Sequence, residues 1–314
     1  MKRSLRVLIS IASMLLISGQ VIGQQTGSRL EKVGGMELRL PLGARAIGMG
    51  EAFVGKADDV TAIYWNPAGL GNNKGVKLGF MHSEYLQGTG MEYLAYSQEI
   101  FAGSGIGANV MYFHSEDIKK FKEVNGMPEE AGEFSPTFIN ASIGYGQKLS
   151  ESVSVGGSVK YLQQKLDEYE AIACAIDAGV LIKPGIKNLQ LGGKVENIGS
   201  KIGKANLPRQ FKVGLSYSWE ECLLSQNTCN ILLDVSVPWY DIRYVSMNVG
   251  SEYWFNDVVA IRGGYKIKPV EESLGIKGLS AGLGLRVKGV EIDYAAVAFG
   301  ELGLTHQASL SINF

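Results

Sequence analysis

The sequence has 314 residues and sets 30 Lys and Arg against 31 Asp and Glu, so it carries no basic field of the kind that holds nucleic acid. Its 41 Gly stand beside only 8 Pro with no Gly-X-Y period, which excludes a collagen-like chain and suits a strand-rich protein with close-packed walls and tight turns. Mean hydropathy near zero excludes a bundle of membrane helices.

Residues 1–23 read as a secretory signal. Lys2, Arg3 and Arg6 supply the charge, Val7 to Ile17 the apolar run, and Val21-Ile22-Gly23 the small-residue cleavage site. The apolar run falls well short of the ~20 residues that a spanning helix needs. Its removal leaves a mature chain with a net charge of about −4.

Residues 24–75 differ in grain from everything that follows. Small residues (Gly43, Gly48 and Gly50 around Arg45) are followed by Asp58-Asp59, a short apolar helical turn, and Asn66-Pro67-Ala68-Gly69. Small residues let backbone approach backbone, and Asn-Pro forbids continuation of a helix. The segment reads as a compact plug. Gly48-x-Gly50 lacks the preceding strand, crossover helix and downstream acid of a dinucleotide loop.

From residue 76 the pattern has period two. Strands are expected at 76–82, 89–98, 105–114, 138–147, 153–164, 171–183, 189–197, 210–218, 230–237, 246–255, 258–266, 280–287, 290–297 and 305–314. This is an all-β chain with 14 strands, an even number, most of them near the ~9–11 residues that a tilted strand needs to cross a bilayer. With the first strand running outward, short turns alternate with longer loops, as in an outer-membrane barrel. Asn256-Asp257 and Lys288-Gly289 are good hairpin dipeptides. The 11-residue segment Trp219–Cys229 is long for the turn side, and Ser115–Thr137 forms a 23-residue outer loop dense in charge.

Setting the apolar positions outward toward lipid sends Lys160, Asp177, Lys194, Glu196, Lys212, Asp234, Arg262, Arg286, Glu291 and Asp293 into the lumen. Neighbouring strands can then pair opposite charges. A barrel of this size is wider than side chains alone can fill. Residues 24–75 are therefore expected inside it, with 76–314 as the transmembrane wall. Ile47, Met49, Phe53, Ile63, Tyr64 and Trp65 would form an apolar plug surface.

Cys222 and Cys229 share one polar connection of an exported chain and are expected to pair, leaving Cys174 over. Three scattered histidines and no Cys-x-x-Cys argue against a metal site, and no nucleophile stands beside a base, so no catalytic residue, enzyme activity or cofactor is expected. Trp239, Tyr240 and Tyr244 in an outer loop are candidate contacts for a partner or for the lipid boundary.

Gly-Ala-Arg-Ala-x-Gly-Met-Gly at 43–50, Ala-Asp-Asp at 57–59, Tyr-Trp-Asn-Pro-Ala-Gly-Leu at 64–70 and the closing run from Leu302 to Phe314 resemble the FadL-like outer-membrane barrels, and most closely the PorV/PorQ family among them. That resemblance implies a 14-stranded antiparallel barrel in the bacterial outer membrane with an N-terminal luminal plug or hatch. From the PorV/PorQ side it implies a component of type IX protein secretion, with secretion components and secreted cargo proteins as partners. From the FadL side it implies uptake of long-chain fatty acids or other hydrophobic compounds, with a hydrophobic ligand site beside the hatch. The closer likeness favours the first.

Overall fold

Alternation of side chains governs the backbone from Val76 to Asn313 and leaves it one way to satisfy its polar groups in lipid, which is to close. The computed structural model describes residues 32–86, 88–222, 226–268 and 277–314; the expected signal segment 1–23 and residues 24–31 of the expected plug lie outside them. The chain divides after Lys32, and the unit Val33–Phe314 carries the structure that follows.

The strands are β1 (Val76–Glu84), β2 (Thr89–Phe101), β3 (Ser104–Ser115), β4 (Ile118–Val124), β5 (Met127–Phe134), β6 (Thr137–Lys148), β7 (Val153–Leu166), β8 (Tyr169–Ile182), β9 (Leu189–Gly199), β10 (Gln210–Glu220), β11 (Thr228–Pro238), β12 (Ser246–Phe255), β13 (Val259–Ile267), β14 (Leu279–Val287), β15 (Val290–Ala298) and β16 (Leu304–Asn313). All but β4 and β5 form one closed antiparallel barrel of 14 strands, in which β16 pairs with β1 from Lys77↔Asn313 to Glu84↔His306. Closure removes the open edge that hydrocarbon cannot solvate. The expected fold, a 14-stranded antiparallel outer-membrane barrel, therefore holds.

Two details differ from the sequence reading. The segment 115–137 is not an open loop, because β4 and β5 make a separate hairpin that pairs Lys119 with Glu133 and Lys122 with Glu129. Its turn is Asn125-Gly126, both at positive φ, the dipeptide a tight hairpin favours. The Trp219–Cys229 connection is shorter than expected, because pairing runs on through Trp219↔Cys229 and Glu220↔Thr228. Cys222 and Cys229 are disulfide-bonded there, with Cα atoms 5.8 Å apart, and Cys174 is free and exposed.

Connections 116–136, 200–209, 239–245 and 268–278 lie at one end of the barrel, while 102–103, 149–152, 256–258 and 288–289 lie at the other. Longer loops mark the outer end. Leu94, Val110, Ile143, Val159, Ile261 and Leu283 project outward and are exposed, whereas their strand neighbours turned inward are buried. An apolar exterior around a polar interior is the inverse of a soluble protein and matches lipid outside.

The barrel is filled by the chain that precedes β1. A 3-10 turn at Met36–Arg39, helix α1 (Ala44–Gly48), helix α2 (Ala62–Trp65) and a second 3-10 turn at Pro67–Asn72 occupy its interior. The Asn66 side chain caps the last turn by accepting from the Ala68 N–H at 3.2 Å, and donates to Val54 O at 3.0 Å and to Val180 O on β8 at 3.1 Å. Ile47, Met49, Phe53, Ile63 and Leu70 join wall residues Met81, Met91, Met111, Phe138 and Leu162 in one buried cluster.

Wall glycines make this seating possible. A Cβ on Gly264 would overlap the Gly50 nitrogen, one on Gly250 would overlap the Met49 carbonyl, and one on Gly192 the Val54 carbonyl; one on Gly146 would lie 2.5 Å from the Gly71 nitrogen. Plug backbone thus lies directly on wall backbone, a contact that only glycine permits. Replacing Gly264 with Val should leave the barrel inserted and heat-modifiable on gels but destabilise the seated plug by roughly 2 kcal/mol or more, as overpacking does. Ion conductance in planar bilayers should rise with it, and unchanged conductance with an unchanged unfolding midpoint would contradict the seating.

Candidate functional site: the plugged lumen

The inward face of the wall presents charge, and the plug reaches into it with a single arginine. Arg45, on α1, is buried and forks onto Glu252 of β12, with Nε to Oε2 at 2.9 Å and Nη2 to Oε1 at 3.0 Å. Its Nη1 donates to Asp58 at 2.8 Å and lies 3.5 Å from Asp59. Glu252 also accepts from Arg262 at 2.8 Å and from Asn230 at 2.9 Å. Arg262 continues to Asp293 at 2.5 Å and Glu291 at 3.4 Å, and Glu291 pairs with Arg286 at 2.7 Å. Arg286 lies 4.0 Å over the Trp254 ring. A guanidinium suits such a site because its planar fork meets a carboxylate with two parallel bonds.

A second network lies across the lumen. Lys160 and Lys194 flank Asp177 at 2.8 and 2.9 Å, Lys194 and Lys212 flank Glu196 at 2.5 and 2.9 Å, and Lys194 donates to the Tyr64 carbonyl of the plug at 2.5 Å. Asp234 stands apart from both networks: its Oδ2 accepts the Phe53 and Val54 N–H groups, each at 2.7 Å. Lys266 of β13 pairs with Glu51 of the plug. Wall charges thus serve as sockets for the plug.

Asp58 and Asp59 respond to Arg45 in opposite ways. Burial pushes both carboxyls up, but at Asp58 the guanidinium outweighs burial and the group titrates below its ordinary value. At Asp59 burial, aided by the like charge of Asp58, wins over Arg45, and the group titrates above it. Asp59 also accepts from Thr61 N at 2.8 Å and Thr61 Oγ1 at 2.5 Å.

Helix α1 divides the lumen space. On its periplasmic side Arg45, Asp58, Asp59, Lys77, Arg286 and Glu291 line a polar cavity of about 270 Å³. On its outer side Leu40, Pro41, Ile47, Val297, Phe299 and Leu302 line a more apolar cavity of about 340 Å³, with Arg39, Lys266, Lys268 and Lys277 as its cations, Glu51 as its acid, and Tyr85.

The six residues expected to form one hydrophobic pocket do not gather around a space. Ile47 alone faces the outer cavity, and Tyr64 and Trp65 border a small one beside Lys212. Met49, Phe53 and Ile63 are spent on packing: Phe53 meets Trp65 edge-on at 6.1 Å, and the Trp65 indole donates to Leu42 O at 2.8 Å. Of the ten wall charges named from the sequence, all lie inward, with Lys212 and Arg286 less deeply buried than the rest. Glu252, Lys266 and Glu51 were missed, although Glu252 falls in step with Asn248 and Gly250 on the inward alternation. The plug motif is spread through the site: Gly43, Gly48 and Gly50 bound α1, and Pro67 and Gly69 lie in the turn against β6 to β8. Among the outer aromatics, Trp239 and Tyr244 are exposed, while Tyr240 accepts from Arg39 at 2.5 Å.

Residues 13–167 match the sequence family described as Uncharacterised protein family (UPF0164). The sequence matches none of the curated proteins. Among solved structures the barrel resembles the toluene transporter TbuX of Ralstonia pickettii (TM-score 0.60, 13% identity, covering 87% of this chain and 98% of that one). It also resembles the toluene transporter TodX of Pseudomonas putida (TM-score 0.60, 13% identity, 90% and 98% covered) and a FadL homologue of Pseudomonas aeruginosa (TM-score 0.51, 12% identity, 88% and 99% covered). The chain shares their fold. The expected location in the bacterial outer membrane holds as well, and the resemblance stated from the sequence stands at the level of FadL-like barrels.

Two predictions test the plug's charge sockets. Replacing Arg45 with Met should cost the seated plug about 3–5 kcal/mol by leaving Glu252 buried beside a lost partner, and Arg45→Lys should recover only part because it lacks the fork. Unfolding midpoints in detergent measure both. At neutral pH Asp58→Asn should lower the midpoint and Asp59→Asn should raise it. The sign follows from linkage: a depressed carboxyl stabilises above the ordinary range and loses that contribution as pH falls, whereas a raised one costs stability while charged. Shifts in the same direction would contradict this assignment.

Proposed function

We propose that the protein is a non-enzymatic, plug-gated outer-membrane barrel that takes up small hydrophobic or amphipathic compounds, long-chain fatty acids among them, through its outer cavity. The observation that carries this reading is the chemistry of that cavity: an apolar floor beneath a rim rich in cations, open toward the outer loops. Its volume of about 340 Å³ lies in the ordinary range for ligand sites. The likeness in fold to two toluene transporters and a FadL homologue supports a barrel that handles apolar compounds. Arg39, Lys266 and Lys277 would meet an acidic headgroup, while Leu40, Ile47 and Phe299 would meet its tail.

A second reading keeps the type IX secretion role implied by the PorV/PorQ resemblance, with cargo proteins docking on the outer loops. The exposed Trp239, at 56% of its full surface, and Tyr244 beside it favour this reading, since interface anchors are enriched in such residues. Nothing in the comparisons supports it, and it ranks second.

The test is binding and vesicle uptake of oleate and toluene by the purified protein. Arg39→Gln with Lys277→Gln should weaken oleate binding about tenfold, the loss of one charged contact, and leave toluene unchanged. Ile47→Asp should reduce both. Failure to bind either compound, together with a co-purifying protein released by Trp239→Ala and Tyr244→Ala, would reverse the ranking.

A further inference from the structure

Asp234 is the exception among the inward carboxylates. Asp177, Glu196, Glu252, Glu291 and Asp293 each have a lysine or arginine within 3.4 Å, but among the described residues no ion pair reaches Asp234. It is 2% exposed, and its Oδ1 has no hydrogen-bond partner although Oδ2 holds two plug amides. Directly across the ladder stands Asn248, also buried, whose Nδ2 donates to Gly50 O at 2.6 Å while its Oδ1 has no partner. One step toward the outer end, Ser236 of β11 pairs with Ser246 of β12. All four residues line one cavity of about 20 Å³. That is room for a single water-sized guest, which needs about 10–15 Å³.

We infer that Asp234, Ser236, Ser246 and Asn248 form a binding site for one monovalent cation, sodium in size, at the junction of plug and wall. Directly opposed side chains on neighbouring strands stand ~5 Å apart at Cβ, so four of them can turn their oxygens onto one ion. The two atoms without partners can only accept, and the carboxylate leaves one negative charge to neutralise. A bound water would satisfy the hydrogen bonds but would leave that charge buried and unpaired, which is costly. The nearby lysines are engaged elsewhere, Lys212 with Glu196 at 2.9 Å and Lys266 with Glu51. Arg39 reaches the same cavity but donates to Tyr240. A single carboxylate with neutral oxygens is too weak a set for calcium, which gathers six to eight oxygens, often from several carboxylates. Occupancy would hold the Phe53–Val54 turn of the plug on β11.

The test uses the full-length mature protein in detergent, at equal ionic strength in sodium chloride or choline chloride. Sodium should raise the thermal unfolding midpoint by roughly 3 °C or more through binding to the native state alone. Asp234→Asn should abolish the increment. Because that variant also disturbs the two plug amides, the double variant Ser236→Ala with Ser246→Ala serves as a second probe: it should fold with the plug seated and shrink the increment. In crystals soaked with thallium(I), an anomalous peak is expected between the four side chains. Equal midpoints in the two salts, an increment retained in Asp234→Asn, or only a water at that position would overturn the proposal.

Discussion

The closest constraint on this molecule is the distance between plug backbone and wall backbone. At Gly250 and Gly264 the wall has no side chain because Met49 and Gly50 occupy the space where one would stand. The same holds where Val54 meets Gly192 and Pro67 meets Gly156. Abundant glycine in an all-β chain otherwise weakens strands, so its retention on inward positions has a packing reason. Each glycine removes a side chain from the wall and admits a peptide group of the plug in its place. The lumen is therefore closed by backbone fitted to backbone, with two side cavities left above and below α1.

Bringing peptide groups and charges into that interior creates demands for hydrogen bonds, and the wall meets them with ionised groups. Asp234 takes two plug amides, Lys194 gives one bond to the Tyr64 carbonyl, and Asn66 spans from the plug to β8. Arg45 is placed where four carboxylates of plug and wall, Asp58, Asp59, Glu252 and, through Arg262, Asp293, share two guanidinium groups. Buried ion pairs of this kind add little net stability over an apolar core, but they penalise any arrangement in which one partner is missing. They give the plug one seat.

Much of this was legible in the sequence because a strand inside a barrel wall repeats a rule with period two. Each of the 14 wall strands announces itself by alternation, and the inward set, from Lys160 to Asp293, follows from it. The N-terminal plug was legible only as a contrast in grain. Its internal geometry was not, because α1 and α2 are single turns whose positions depend on sockets hundreds of residues away, as Arg45 depends on Glu252. The hydrophobic pocket failed as an inference for the same reason: apolar plug residues can face a cavity or one another, and only the wall decides. Phe53 and Met49 face protein, whereas Ile47 meets the outer cavity. The β4–β5 hairpin was overlooked through weight given to its charges, although Asn125-Gly126 marks its turn.

The two faces of α1 set the terms on which a gated passage would work. Ile47 closes the outer cavity and Arg45 the periplasmic one, so a molecule crossing the lumen must displace a turn bounded by Gly43 and Gly50, both at positive φ. A ligand can shift that turn only by the difference between its affinities for the two positions. Apolar contact with Ile47 supplies part of such a difference. A stronger source is Lys266, which faces the outer cavity and at the same time holds Glu51 of the plug. An acidic headgroup at Lys266 competes with Glu51 for the same ammonium, so occupancy weakens one of the plug's own attachments. A neutral hydrocarbon has no such lever, and a barrel built this way distinguishes acid from hydrocarbon at the plug as well as at the rim.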